Sequence, residues 1–185
     1  GRIELGLGTA WYEQEHAAYG IPFPDVGERF ERLEEQLEIV TGLWSTPVGE
    51  RFSFAGRHYQ LSESPALPKP AQGADLPIII GGDGPRRTPR LAARFATEFN
   101  LPFRSVEAFT EQRQRVIDAC STAGRDPASM MFSSAVTVAI GTDEGEFNKR
   151  AAAIGRRPDE LRQDGIGGTA EEALATMERW HAAGC

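Results

Sequence analysis

Apolar residues return at intervals of two in some stretches and of three or four in others, and the two periods alternate along the chain. Ile3-Glu4-Leu5-Gly6-Leu7-Gly8-Thr9 alternates apolar with other residues, which is the period of a strand. Phe30, Leu33, Leu37, Val40 and Trp44 then recur at helical spacing, and Asp25 with Glu28 ahead of them has the spacing of a capping box. Glu31, Glu34, Glu35 and Glu38 fall mostly off that apolar face and read as its solvated outer side. Residues 52–61 read as two short strands around an Ala55-Gly56 turn. Leu76 to Ile80 is a short apolar run bounded by glycines, as suits a strand buried on both faces. A helix is predicted over 86–96, a short strand over 97–101 and a helix over 105–123, with Phe109, Val116, Ile117 and Cys120 apolar and Gly124 as the stop. A strand over 131–140, a helix over 143–154 and a polar, glycine-rich connection follow. Thr169 and Glu172 make a second capping box, opening a last helix with Ala173, Met177 and Trp180 on one face.

Strands that alternate with helices mean a parallel sheet or a barrel. An eight-stranded βα barrel takes about 250 residues, more than the 185 present. The first strand begins at once, and Ala183-Gly184-Cys185 resembles the turn ahead of another strand. The expectation is therefore one partial barrel domain over 1–185, from roughly the fourth strand through the helix before the eighth, with the first strands and the last one absent. A complete small open α/β domain is the competing arrangement.

Composition narrows the function. Twenty-seven acids against 20 bases leave a net charge of −7, which argues against general nucleic-acid binding, where a basic face supplies most of the affinity. No stretch approaches the ~18 uninterrupted apolar residues of a membrane span, and no charged-then-apolar leader opens the sequence. Cys120 and Cys185 do not make a disulfide framework, so a cytoplasmic setting is expected. Cys120 sits on an apolar helix face and reads as core. His16, His58 and His181 lie far apart with no metal-ligand spacing, and there is no nucleophile elbow.

Two segments carry candidate chemistry. Gly81-Gly82-Asp83-Gly84-Pro85 joins the 76–80 run to a helix. Glycines at a strand end let a backbone approach a ligand, and the N–H groups of such a loop with the following helix N-terminus make an anion site, with phosphate the natural guest. The same residues also suit a tight turn that binds nothing. Gly8 and Thr9 end the first strand, where ligands of parallel sheets collect, although Gly6 and Gly8 could equally serve close packing. Arg86, Arg90 and Arg94 form a basic stripe beside the glycine loop, suited to an anionic ligand tail or to plain solvation.

These motifs, in their order and spacing, resemble the bacterial luciferase-like family. The resemblance runs through Gly1-Arg2-Ile3-Glu4-Leu5-Gly6-Leu7-Gly8-Thr9-Ala10-Trp11, Glu15 and Tyr19-Gly20-Ile21-Pro22-Phe23-Pro24. It continues in Arg32-Leu33-Glu34-Glu35, Leu43-Trp44, Phe54-Ala55-Gly56-Arg57-His58-Tyr59 and Pro68-Lys69-Pro70. Ile78 to Pro85 and Leu91-Ala92-Ala93-Arg94-Phe95-Ala96 complete it. Together they look like the branch that uses the deazaflavin coenzyme F-420. The resemblance implies a (β/α)8 TIM barrel and hydride transfer between coenzyme F-420 and a small-molecule substrate. The family's phosphate contacts carry over to Gly81, Gly82, Asp83, Gly84 and Pro85, and its fourth-strand contacts to Gly8 and Thr9. Family habit implies a homodimer. The alternatives are an FMN-dependent luciferase-like monooxygenase and a non-catalytic flavin-binding barrel derivative. The family's cofactor-supporting bulge in the third strand and its acid/base residues in the first two have no counterpart here, so no catalytic residue is assigned.

Overall fold

In the computed structural model, which describes residues 2–185, the predicted alternation of strand and helix is present throughout. Gly1, the first residue of the first motif, lies outside the described residues. The chain forms two units, one ending at Ile79 and one from Ile80 to Cys185. No described helix is long and apolar enough to cross a membrane.

The first unit opens with strand β1 (Leu5–Leu7), whose Leu5 N–H donates to Pro77 O at 2.9 Å. A short helix α1 (Glu13–Ala18), for which the sequence had no apolar period, follows. Helix α2 (Val26–Ser45) starts where Asp25 predicts: the Asp25 carboxylate accepts from Gly27 N and Glu28 N. Glu28 does not close the expected box, because its carboxylate is engaged by Arg32 one turn on. Leu33 and Leu37 are the buried centre of the predicted apolar face.

The acids off that face are not simply solvated. Strands β2 (Phe52–Ala55) and β3 (Gln60–Ser64) pair antiparallel, and the turn between them sits on α2. Glu35 accepts from the backbone N–H of Arg57 (2.7 Å), His58 (3.0 Å) and Tyr59 (3.0 Å), while Glu31 holds the side chains of Arg57 and His58. Desolvation is the largest single influence on the Glu35 carboxyl and pushes it up, but the three amides together outweigh it and draw it below its ordinary range.

In the second unit, strands β4 (Ile78–Gly81), β5 (Glu98–Asn100) and β6 (Met131–Ser133) lie in that order, with β4 crossing the boundary between the units. β5 and β6 run parallel. Helices α3 (Arg87–Phe95) and α4 (Val106–Thr122) follow β4 and β5, and Ser105 caps α4 through Ala108 N. The predicted strand over 131–140 is broken: β6 stops at Ser133, and β7 (Val138–Gly141) pairs with a different neighbour.

That neighbour is β8 (Ile166–Thr169), which follows helices α5 (Glu144–Ala153) and α6 (Pro158–Asp164) and pairs parallel with β7. The polar, glycine-rich connection predicted over this stretch thus contains a short helix and a strand. Helix α7 (Ala170–Ala182) ends the chain, and its predicted box is present: Glu172 accepts from Thr169 N at 2.7 Å, and the Thr169 hydroxyl accepts from Glu172 N at 3.4 Å.

The start of α5 carries a pH-dependent contribution. Glu146 accepts from the backbone N–H and the hydroxyl of Thr142 and from Arg150, each at 2.7 Å. These donors, the Thr142 amide foremost, lower its pKa from 4.5 to about 2. A carboxyl depressed by folding stabilises above its unfolded pKa and loses that contribution as pH falls through the folded value. Wild type is therefore expected to melt above Glu146→Gln at neutral pH, with the gap closing between pH 4.5 and about 2. Melts at stepped pH check this, and a gap that widens on acidification would contradict it.

Candidate functional site

The glycine loop leaves β4 at its carboxyl end and enters α3. Gly81 is the last residue of the strand, and a Cβ there would stand 3.1 Å from Asn100 O. Gly82 donates its N–H to Asn100 O at 3.2 Å and has φ +135°. L-residues rarely take up that conformation, so the position calls for glycine. The space beside it is ordinary, with Thr88 3.6 Å from the added Cβ.

A buried glutamine holds the loop. The Gln112 side chain, 1% exposed, donates from Nε2 to Gly84 O (2.9 Å) and Gly82 O (3.4 Å), and its Oε1 accepts from Arg115. In a trans peptide the N–H points opposite the C=O. Fixing the Gly82 carbonyl on α4 therefore turns the Asp83 N–H to the other side of the loop.

That amide bonds the Asp83 carboxylate, which is also paired with the Arg104 guanidinium. Arg104 above all keeps the Asp83 carboxyl below the usual range, with burial opposing and the loop amide helping. Arg104 follows Phe103, whose φ of +55° is unusual for a bulky residue. Arg104 also lines a cleft of about 400 Å3 with Phe103, Thr137, Arg156 and Asp164, within the usual size of a ligand pocket.

Arg86 is the N-cap residue of α3, and Arg90 and Arg94 are exposed along that helix. Arg94 also lies over the Phe95 ring at 4.5 Å.

Gly8 and Thr9 follow β1 in the first unit. Arg29 donates to Thr9 O (3.2 Å) and Ala10 O (2.7 Å) and lies over the Phe23 ring at 4.0 Å. Ala10 has φ +60°, so Arg29 ties down a strained turn just past the strand. The cleft beside these residues is about 170 Å3, below the size that takes a whole cofactor.

The loop 81–85 is thus gathered with Asn100, Arg104 and Gln112 in one unit, whereas Gly8 and Thr9 belong to the other. Sequence reasoning missed Gln112, Arg104 and Arg29. For Gln112 a signal existed: residues 109, 112, 116 and 120 form one stripe at spacings of three and four, and all four are buried. A polar side chain on such a stripe needs a partner. For Arg104 and Arg29 no local pattern marked the loops they would meet.

Removing the glutamine tests the loop's support. Gln112→Leu is expected to cost about 1–3 kcal/mol, since two carbonyls lose their buried donor. Proteolysis is expected to cut near 82–86 faster in this variant than in wild type. Equal stability and equal cleavage would show that the loop holds itself.

Comparison with known proteins gives the chain its family and fold. The profile of the luciferase-like monooxygenase family matches residues 1–184. An F420-dependent glucose-6-phosphate dehydrogenase of Microbacterium testaceum is 35% identical over 127 residues, 68% of this chain and 36% of that protein. An FMNH(2)-dependent dimethylsulfone monooxygenase of Pseudomonas putida is 27% identical over 175 residues, 95% of this chain and 46% of that protein. The chain therefore spans between a third and a half of the length of these relatives. Among solved structures, an F420-dependent secondary alcohol dehydrogenase in complex with an F420-acetone adduct superposes with a TM-score of 0.85 at 18% identity, over 100% of this chain and 62% of the other. The structural neighbours are luciferase-like TIM-barrel enzymes, so the expected fold class holds.

Proposed function

Because the chain belongs to the luciferase-like monooxygenase family, we propose that it is the phosphate-holding part of an oxidoreductase that moves a hydride between coenzyme F-420 and a small organic substrate. The observation that carries this reading is the loop 81–85, set in a glycine-only conformation at Gly82 and tied to α4 by Gln112. The 35% identity to a relative named for its F420 dependence supports the choice of cofactor.

The residues fit a phosphate at the N-terminal end of α3, where the Arg86 N-cap makes no side-chain cap bond, with Arg104 held by Asp83 as the nearest loop-bound cation. They fit it less well at Asp83, whose charge repels an anion. Asp83 therefore belongs to the site as the residue that fixes Arg104, and Pro85 as the rigid lead into the helix. Gly8 and Thr9, past the end of β1 in the first unit, are a separate proposed backbone contact. When bound, the deazaflavin supplies the two-electron chemistry, and the protein supplies binding, orientation and shielding from water.

A second reading, an FMN-dependent monooxygenase, has its own support in the dimethylsulfone monooxygenase that matches 95% of the chain. Two assays separate them. Substrate-dependent bleaching of coenzyme F-420 without oxygen is expected on the first reading. Substrate-dependent oxygen uptake with reduced FMN would replace it with the second. Tight cofactor binding with neither activity would indicate a non-catalytic flavin-binding barrel.

A further inference from the structure

Three polar side chains on one face of β5 and β6 form a directed chain that ends beside the glycine loop. Alternation along β5 puts Glu98 and Asn100 on the same face, while Phe99 turns to the other and is fully buried. The parallel register sets Asn100 against Ser133 and Phe99 against Phe132, whose rings meet edge-on at 6.4 Å. The Ser133 hydroxyl donates to the Glu98 carboxylate, and Asn100 Nδ2 donates to Ser133 Oγ at 2.8 Å. All three residues are half-buried.

The chemistry of a hydroxyl sets the direction. Serine has one proton to give, and here it goes to Glu98. Toward Asn100 the Ser133 oxygen can only accept, so the amide must present its NH2 there and turn its carbonyl oxygen away. The carboxylate thereby fixes the orientation of an amide two residues along the strand. That amide stands at the carboxyl end of β5, where its own backbone carbonyl accepts from Gly82 N at 3.2 Å and its Cβ would lie 3.9 Å from a Cβ on Gly81.

We propose that Asn100 is a ligand-contacting residue of the glycine-loop site, offering its side-chain carbonyl to a hydroxyl or N–H donor of a phosphorylated ligand, and that Ser133 and Glu98 are positioning residues that hold the amide in that sense. This rests on the reading of 81–85 as the cofactor site. It deepens that reading by giving the ligand a required feature, a hydrogen-bond donor near the phosphate. A ligand with only acceptors there would meet the lone pairs of the Asn100 oxygen and be rejected.

The test is titration of the protein with coenzyme F-420, read by fluorescence. Asn100→Ala is expected to raise Kd about tenfold, the worth of one hydrogen bond to a ligand. Ser133→Ala, which frees the amide to turn, is expected to raise it about threefold to fivefold on the same scale. The double variant is expected to be no weaker than Asn100→Ala, because Ser133 acts only through that residue. Ser133→Thr, which keeps the hydroxyl, is expected to restore affinity. Asn100→Asp keeps the size of the side chain and is expected to lose more than Asn100→Ala, having placed a second carboxylate beside Glu98.

Losses that multiply in the double variant, or unchanged affinity in Asn100→Ala, would overturn the proposal while Gly82→Val still weakens binding. Unchanged affinity in a folded Gly82→Val would instead remove the cofactor site, and the role of Asn100 with it.

Discussion

Phe147→Ala is expected to cost about 3–5 kcal/mol of folding stability, the range for removing a buried aromatic ring. Phe147 is fully buried and packs with Ala139, Ala151 and Leu161. The Arg162 guanidinium lies over its ring at 4.6 Å. The surrounding backbone has little freedom to collapse into the space. A Cβ on Gly141 would come within 2.3 Å of Phe147 N, and one on Gly167 within 3.1 Å of the tip of the ring. One aromatic ring thus sits where β7, β8, α5 and α6 meet, and all four depend on it. Chemical denaturation measures the loss, and Phe147→Leu is expected to recover most of it. A loss under about 1 kcal/mol, as for a well-tolerated core exchange, would show that the packing around β8 is looser than described.

Gly82→Val is expected to weaken cofactor binding at least tenfold while the fold survives. The backbone at φ +135° costs an L-residue about 1–3 kcal/mol, and valine, branched at Cβ, falls toward the upper end. Thr88 at 3.6 Å leaves space, so the strain lies in the loop's own conformation and not in a clash. The loop is expected to relieve it by turning Gly82 out of register with Gln112 and Asn100. The backbone donors would move with it, while α3 and α4 keep their packing. Isothermal titration beside a thermal melt separates the two effects. Unchanged affinity in a folded variant would count against the site.

Most elements were legible because their residues carry a period. Helices α2, α4 and α7 each show an apolar stripe behind a capping residue, and β4 is an unbroken apolar run. Strand β8 was not legible, because Gly167 and Gly168 give it no side-chain alternation. Those glycines read as a loop, yet they are there for closeness. A Cβ on Gly167 would sit 2.8 Å from Leu161 Cβ, and one on Gly168 within 2.3 Å of the Glu172 carboxylate. The broken strand at 131–140 was hidden for the opposite reason. Its period continues through 134–137, and only the pairing changes, from β5 on one part to β8 on the other.

In the candidate site, the loop itself was legible from its glycines, but its supports were not. Arg104 lies 21 residues from Asp83 and Gln112 lies 28 from Gly84, and neither spacing means anything until the strands are placed side by side. Glu35 teaches the same point. As one of several acids on an exposed helix face it looks idle, and its three backbone donors come from a turn that starts 22 residues later.

The central claim is that residues 81–85 hold the phosphate end of a deazaflavin. The most direct measurement is a parallel fluorescence titration of the protein with coenzyme F-420 and with FMN. Saturable binding of coenzyme F-420, weak binding of FMN and loss of the former in Gly82→Val is the expected result. Preference for FMN would move the protein to the flavin monooxygenases, and binding of neither would leave the glycine loop as a turn and contradict the account.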